Sequence, residues 1–321
     1  MTTQTLPELN ASVDEFKVTE RVYYRQQYRE VENSLRAYAC DVPVIFKGPT
    51  GSGKTTLMLH LCYLLGTGFD ELRTLYGKKL QKKVPHKDNQ EKTVLELLEY
   101  KTHGFRGGFP LITAGGQEDL DATQLKGSPF PVGDKTYWLN GPARLATKYG
   151  GIFYFDEPTE ARPDTRVAIH SLSDDRRTLL IEALGSTQNA HLSFGFFQSY
   201  NDQYQDPRKR FKPSTSQRFA HFRIGYPDEA VELEIVKTKT NLEESTIKHL
   251  LSIAANTRNM AANRKLKEGA SPRAVIKAAT LIGAGMNEYE AVMSCLAEPL
   301  TDDLEILKGL EETVTKIFRK I

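Results

Sequence analysis

The stretch GPTGSGKTT, residues 48–56, constrains this chain more than any other part of it. It fits the pattern G-x-x-x-x-G-K-[ST], with Gly48, Gly53, Lys54 and Thr55 in the fixed places. Such a loop works between a strand and a helix, where successive backbone N–H groups cradle phosphate oxygens and the helix N-terminus adds partial positive charge. The flanks supply that context. VPVIF, residues 42–46, is a short β-branched and aromatic run, and TLMLHLCYLLG after the loop has helical apolar spacing. The cradle is expected to be Gly48, Pro49, Thr50, Gly51, Ser52, Gly53, Lys54, Thr55 and Thr56, with Lys54 reaching the β- and γ-phosphates of ATP and the Thr55 hydroxyl coordinating Mg²⁺. Kinases, transporters, helicases and remodelling motors all use this loop, so it leaves the purpose of the nucleotide open.

Further strand signals follow at FPLITAG, TYWLN near 136–140, GGIFYFDE at 150–157, TLLIEAL at 178–184 and HLSFGFFQSYN at 191–201. Their alternation with helical stretches predicts an α/β core with a mainly parallel sheet and helices on both faces. From YPDEA at 226–230 to Ile321 only helical periodicity remains, which predicts a small all-helical C-terminal domain. The expected divisions are a flexible polar leader at 1–20, a core at 21–226 and a helical lid at 227–321. Residues 22–40 are expected to be helical. The segment 67–108 breaks the α/β rhythm: GKKLQKKVPHKDNQEK and VLELLEYK suggest an inserted basic loop with a short amphipathic helix.

Composition narrows the function classes. Lys and Arg number 43 against 41 Asp and Glu, a net charge of +2, so nothing in the bulk electrostatics argues for a nucleic-acid or membrane partner. Cys40, Cys62 and Cys295 lack paired spacing and are expected to be buried or half-buried reduced thiols. The polar N-terminus has no signal-peptide build and no run approaches transmembrane length, so a soluble cytoplasmic protein is expected.

Catalytic candidates sit on the later strands. GGIFYFDE ends on two carboxylates; beside the glycine-loop strand, Asp156 would lie near the metal and Glu157 could orient a water for attack on the γ-phosphate. A nucleoside kinase or switch GTPase has no need of that glutamate, whereas a hydrolytic motor does. Asn201, at the end of FGFFQSY, could hold the same water. SPRAVIKAA opens a helix with Ser271 and Pro272 and places Arg273 in its first turn, where it could act as a second nucleotide sensor.

The order of these motifs resembles AAA+ ATPases, in which an asparagine such as Asn201 is the first sensor. An arginine at the place of Arg218 is presented there as a finger to the neighbouring subunit's nucleotide. The wording of GGIFYFDEPTEARPDTRVAIHSLSDDRRTLLIEALG, KPSTSQRFAHFRIGYPD and PLTDD is similar to the CbbQ/NirQ/NorQ group of the MoxR branch. That resemblance spans roughly residues 20–66 and 109–318. It implies a ring, usually a homo-hexamer, and a von Willebrand factor A partner protein. It also implies a target enzyme, either Rubisco carrying trapped inhibitory sugar phosphates, the leading expectation, or a metalloenzyme such as nitric oxide reductase. Hairpins at 128–140 and 174–190 are then expected to face the pore or the partner. The chain departs from the family in the long separation of Lys54 from Asp156 and in Pro158, which should stiffen the turn after the carboxylates. Two rivals stay in view: a nucleic-acid motor, and a nucleotide-loaded scaffold with little turnover.

Overall fold

The computed structural model describes residues 6–86, 90–201 and 210–318. The chain divides into two units: Met1–Gly48 with Lys54–Arg223, and Pro49–Gly53 with Ile224–Ile321.

In the first unit the N-terminal elements are β1 (Lys17–Val18), α1 (Glu30–Ala39), β2 (Val44–Lys47) and α2 (Lys54–Leu65). The inserted segment forms α3 (Phe69–Tyr76), β3 (Lys83–Pro85), β4 (Glu91–Thr93) and α4 (Val94–Thr102). Next come β5 (Phe109–Gly115), α5 (Ala122–Lys126), β6 (Gly127–Val132), β7 (Lys135–Asn140), α6 (Pro142–Tyr149) and β8 (Gly151–Asp156). The unit closes with α7 (Pro163–Val167), β9 (Thr178–Ile181), β10 (Ser186–Asn189), β11 (Phe194–Tyr200), α8 (Pro213–Ser216) and β12 (Ala220–Arg223).

Six of these strands make one sheet in the order β1-β5-β8-β11-β2-β12, parallel except where β1 meets β5. The middle strands β8 and β11 are apolar along nearly their whole length, as strands covered on both faces must be. On one face Phe153, Phe155, Phe196 and Ile45 pack with Ala143 and Ala146 of α6. The alternate residues Tyr154 and Asp156 point to the other face, where Tyr154 meets Thr55 at the start of α2. Register brings the C-terminal ends of three strands together: Tyr200 stands beside Lys47, and Ser199 beside Asp156. Gly48 and Lys54 at the two ends of the glycine loop, the Asp-Glu pair and Asn201 therefore emerge at one sheet edge of the first unit.

Three expectations are corrected. Residues 6–20 are not a loose leader: Lys17 and Val18 pair with Pro110 and Phe109, the Trp138 N–H donates to Pro7 O at 2.8 Å, and Val13 is buried in the core. Glu8 ties the segment to α6 through Arg144 at 3.0 Å and Lys148 at 2.5 Å. Charge and backbone pairing do this work, and they leave no apolar periodicity to read; residues 1–5 lie outside the described residues. Helix α1 starts at Glu30 rather than near Val22: Arg29 before it is left-handed at φ +63°, the Glu30 carboxylate accepts the N–H groups of Gln27 and Tyr28 in the preceding turn, and Gln26 Oε1 accepts the first-turn N–H of Glu32 at 3.0 Å. Cys40 is exposed, while Cys62 is buried.

The inserted segment is more ordered than a solvated loop. Phe69, Leu72, Leu80, Leu97 and Leu98 are all buried, and Thr93 and Glu96 form a reciprocal cap at the start of α4. Lys87, Asp88 and Asn89 of its basic stretch lie outside the described residues. The hairpins expected at 128–140 and 174–190 correspond to β6–β7 and β9–β10.

The second unit contains α9 (Glu229–Lys239), α10 (Glu244–Ala262), α11 (Pro272–Gly283), α12 (Glu288–Val292) and α13 (Leu304–Ile317), with a π-helical turn at Met293–Ala297. Leu250, Ala254, Val275, Ala279, Val292 and Val314 are among the residues of its core. Arg258 and the buried Glu232 add an ion pair at 2.7 Å. Among the described residues, no helix is long and apolar enough to cross a membrane.

Candidate active site

The glycine loop needs two left-handed residues to turn its N–H groups inward, and both are glycine: Gly51 at φ +71° and Gly53 at φ +91°. Lys54 opens α2 and is buried, with its ammonium donating to Gly48 O at 2.8 Å, which arches the side chain back over the loop. The Ser52 hydroxyl is buried and has no hydrogen-bond partner. A buried hydroxyl without a partner is costly, and a phosphate oxygen in the cradle would satisfy it. The loop therefore fits a phosphate group.

At the neighbouring strand end, Asp156 is held by two hydroxyls. Tyr154 Oη lies 3.1 Å from its Oδ1, and Ser199 Oγ donates to that same oxygen. Thr55, at the N-terminus of α2, is exposed. A carboxylate and a hydroxyl are hard oxygen donors, the kind Mg²⁺ prefers. Thr55 and Asp156 would hold the cation, which when bound supplies charge neutralisation on the phosphates.

Glu157 has φ +48° and ψ +48°, a left-handed conformation uncommon outside glycine and costing about 1–3 kcal/mol. Three features hold it there. Its N–H donates to Ser199 O at 2.8 Å, Gly116 N–H donates to Asp156 O at 2.7 Å, and Pro158 disfavours the right-handed helical region for the residue before it. Gly116 is also a steric requirement, since a Cβ there would sit 2.0 Å from Glu157 O. The turned backbone brings the Glu157 carboxylate to Asn201, whose N–H donates to Oε2 at 3.3 Å. Burial pushes the Glu157 pKa up, with Asp156 and Glu160 adding to it; the Asn201 N–H and the Lys54 charge oppose this. A half-buried carboxylate with raised basicity beside a lysine can accept a proton from water.

The structure thus brings Lys54, Thr55, Asp156, Glu157 and Asn201 to one edge of the sheet in the first unit. Arg218 belongs elsewhere in that unit. It follows α8 and donates to Asp174 Oδ2 at 3.1 Å, and Asp174 also binds Arg176 at 2.6 Å. Arg273 belongs to the second unit, in the first turn of α11, where the Ser271 hydroxyl accepts the Ala274 N–H as a cap. Within that unit a Cβ on Gly51 would lie 2.6 Å from Ser271 and 3.5 Å from the Arg273 Cβ, so Pro49–Gly53 and the start of α11 are close neighbours. There too, Thr50 N–H donates to Glu268 Oε1 at 2.8 Å.

Gly116, Tyr154, Ser199 and Asp174 are the residues that motif reading missed. Tyr154 had a readable signal, two residues before Asp156 on an otherwise apolar strand; the other three depend on pairings between distant segments.

Comparison with known proteins shows the family. The family model described as CbbQ/NirQ/NorQ C-terminal matches residues 232–317, and the AAA domain (dynein-related subfamily) matches residues 90–219. The chain is 34% identical to Protein NorQ of Paracoccus denitrificans, over 92% of this chain and 94% of that protein. It is 35% identical to the denitrification regulatory protein NirQ of Pseudomonas aeruginosa, over 91% of this chain and 96% of that one. Protein CbbQ of Hydrogenophilus thermoluteolus is 32% identical, over 95% and 98%. Identities of 32% to 35% over at least 91% of the chain make it a member of the CbbQ/NirQ/NorQ family of AAA+ proteins, and the AAA domain match makes it an ATPase.

Proposed function

We propose that this protein is a Mg-ATP-driven, ring-forming motor that activates a target enzyme together with a von Willebrand factor A partner protein. The observation that carries the reading is the division of the chemistry. Glu157 sits with Lys54 and Asp156, whereas Arg218 is engaged by Asp174 of its own chain and takes no part in that cluster. A site with phosphate cradle, metal pair and base, and with its arginine on a different part of the surface, is completed by the Arg218 of a second subunit. Hydrolysis then occurs at interfaces between identical subunits, and a homo-hexamer is the assembly that family membership favours. In the proposed step Glu157 takes the proton of the attacking water, while Lys54 and the neighbour's Arg218 stabilise charge on the transferred phosphoryl group. Asn201 orients the water. Arg273 reports nucleotide state to the helical unit, and β6–β7 and β9–β10 carry the motion to the partner or the pore.

Glu157→Gln and Arg218→Ala test this together. Each alone should silence turnover in assembled rings, and mixed rings of the two should regain it. An interface with Glu157 from the arginine variant and Arg218 from the glutamine variant is intact. Mixed rings as inactive as the separate variants would overturn the shared site.

The identities of 34% and 35% to NorQ and NirQ, against 32% to CbbQ, give no preference to Rubisco, the leading expectation from sequence. The target is decided by supplying the motor and its partner with inhibitor-bound Rubisco or with immature nitric oxide reductase. Recovery of one activity, dependent on Glu157, names it. ATPase stimulation by DNA that fades with salt would instead favour a nucleic-acid motor.

A further inference from the structure

Two buried hydroxyls behind the metal pair have no place in the hydrolysis step. Tyr154 and Ser199 are each 0% exposed, on adjacent strands β8 and β11. Tyr154 Oη is 2.6 Å from Ser199 Oγ and 3.1 Å from Asp156 Oδ1, and Ser199 Oγ donates to that same Oδ1. Apolar residues would fill these positions in a parallel strand without any need for partners.

Counting protons gives the network a direction. Each hydroxyl has one proton to donate and two lone pairs. Ser199 gives its proton to Asp156 Oδ1, and Tyr154 gives its own to Oδ1 or to Ser199. One consequence follows for a cation: Asp156 is fixed through Oδ1, with Oδ2 left for the metal or its waters. Holding ligands in place from behind is what tunes metal sites elsewhere, with losses of about 10–100-fold when the holding group is removed.

We infer that Tyr154 and Ser199 are positioning residues that set Mg²⁺ affinity by orienting Asp156. The inference rests on the reading of Asp156 as one of the Mg²⁺ pair.

The test is a Mg²⁺ titration of binding of a fluorescent ATP analogue to the full-length protein, repeated in EDTA, with the thermal unfolding midpoint measured for every variant. Tyr154→Phe and Ser199→Ala should each raise the Mg²⁺ concentration at half-saturation about tenfold or more. Analogue affinity in EDTA should stay within about twofold of the parent. Ser199→Thr keeps the hydroxyl and should restore the parent value, which a purely structural role would not require. Because both hydroxyls act on one oxygen, the double variant should lose less than the product of the single losses. An unchanged Mg²⁺ half-saturation in folded Tyr154→Phe and Ser199→Ala overturns the inference, as does an equal loss of affinity in EDTA. Asp156→Asn separates the two readings: if it too leaves the Mg²⁺ dependence unchanged, the metal pair itself is wrong and the inference falls with it. If Asp156→Asn abolishes that dependence while the hydroxyl variants do not move it, only the inference fails.

Discussion

Two regions of the α/β unit carry the charges proposed for hydrolysis, and they are built on opposite plans. At the sheet edge the charged groups are held in place: Asp156 by two hydroxyls, Glu157 by a strained turn, Lys54 by the carbonyl of Gly48. Around Arg218 the arrangement is looser. The arginine is one-third exposed, its partner Asp174 is shared with Arg176, and both contacts are of the kind that contributes about 0.2–1 kcal/mol at a surface. On the proposed reading, the difference means that the phosphate-binding lysine and the base are preorganised in one chain, where misplacement is costly, whereas the arginine is kept in a contact weak enough to leave.

The sharpest break of that comparison is Arg218→Ala. An arginine that meets a phosphoryl group only in the transition state is worth about 10³–10⁵ in turnover, so assembled rings should lose that much with nucleotide affinity little changed. A steady-state ATPase assay against an affinity measurement in the same rings separates the two. Arg218→Lys should recover only a small part, because a point charge does not reproduce the planar fork.

Gly116→Ala strikes the preorganised side without touching a charge. The added methyl meets Glu157 O at 2.0 Å, so the turn that carries the base must move. Overpacking of this kind costs about 1–3 kcal/mol of stability, and a base displaced by about 1 Å loses about 10²-fold in rate. Turnover should therefore fall far more than nucleotide affinity. An alanine variant with parent turnover would show that the position of Glu157 is not what the glycine protects.

A smaller change in the opposite direction is expected from Asp174→Asn. With the cis contact weakened, Arg218 leaves at lower cost, and the 0.2–1 kcal/mol of a surface pair corresponds to a rise in turnover of up to about fivefold. A fall in turnover instead would mean that Asp174 aims the arginine rather than storing it.

The same contrast accounts for what was legible in the sequence. The glycine loop, the Asp-Glu pair and the capped start of α11 are local patterns, each written in consecutive residues, and the parallel sheet follows from apolar runs such as GIFYFD and FGFFQSY. Gly116 and Ser199 matter because β5, β8 and β11 align in a register that no single segment encodes, and Asp174 matters through a contact with a residue far along the chain. The N-terminal segment was misread for a related reason. Its anchors are backbone pairing and one acidic side chain, and neither leaves an apolar period.

That anchor gives the smallest expected effect on turnover, and a control for the others. Burial alone would raise the Glu8 pKa, but hydrogen bonds from Lys148, Tyr149 and Asn140 and the Arg144 charge outweigh it and hold the carboxyl down at about 2. A depressed carboxylate pKa means stability that is fully present above its ordinary value of 4.5 and is lost as pH falls toward 2. Glu8→Gln should lower the melting temperature at neutral pH, by less than the about 3–5 kcal/mol of a fully buried pair because Lys148 is one-third exposed and can rehydrate. The gap between variant and parent should narrow as pH drops from about 5 toward 2, while ATP turnover below the melting range stays at the parent value. Thermal unfolding across that pH range checks the first part and the ATPase assay the second; loss of turnover in a folded Glu8→Gln ring would tie the N-terminal anchor to the hydrolysis edge and erase the distinction between the regions.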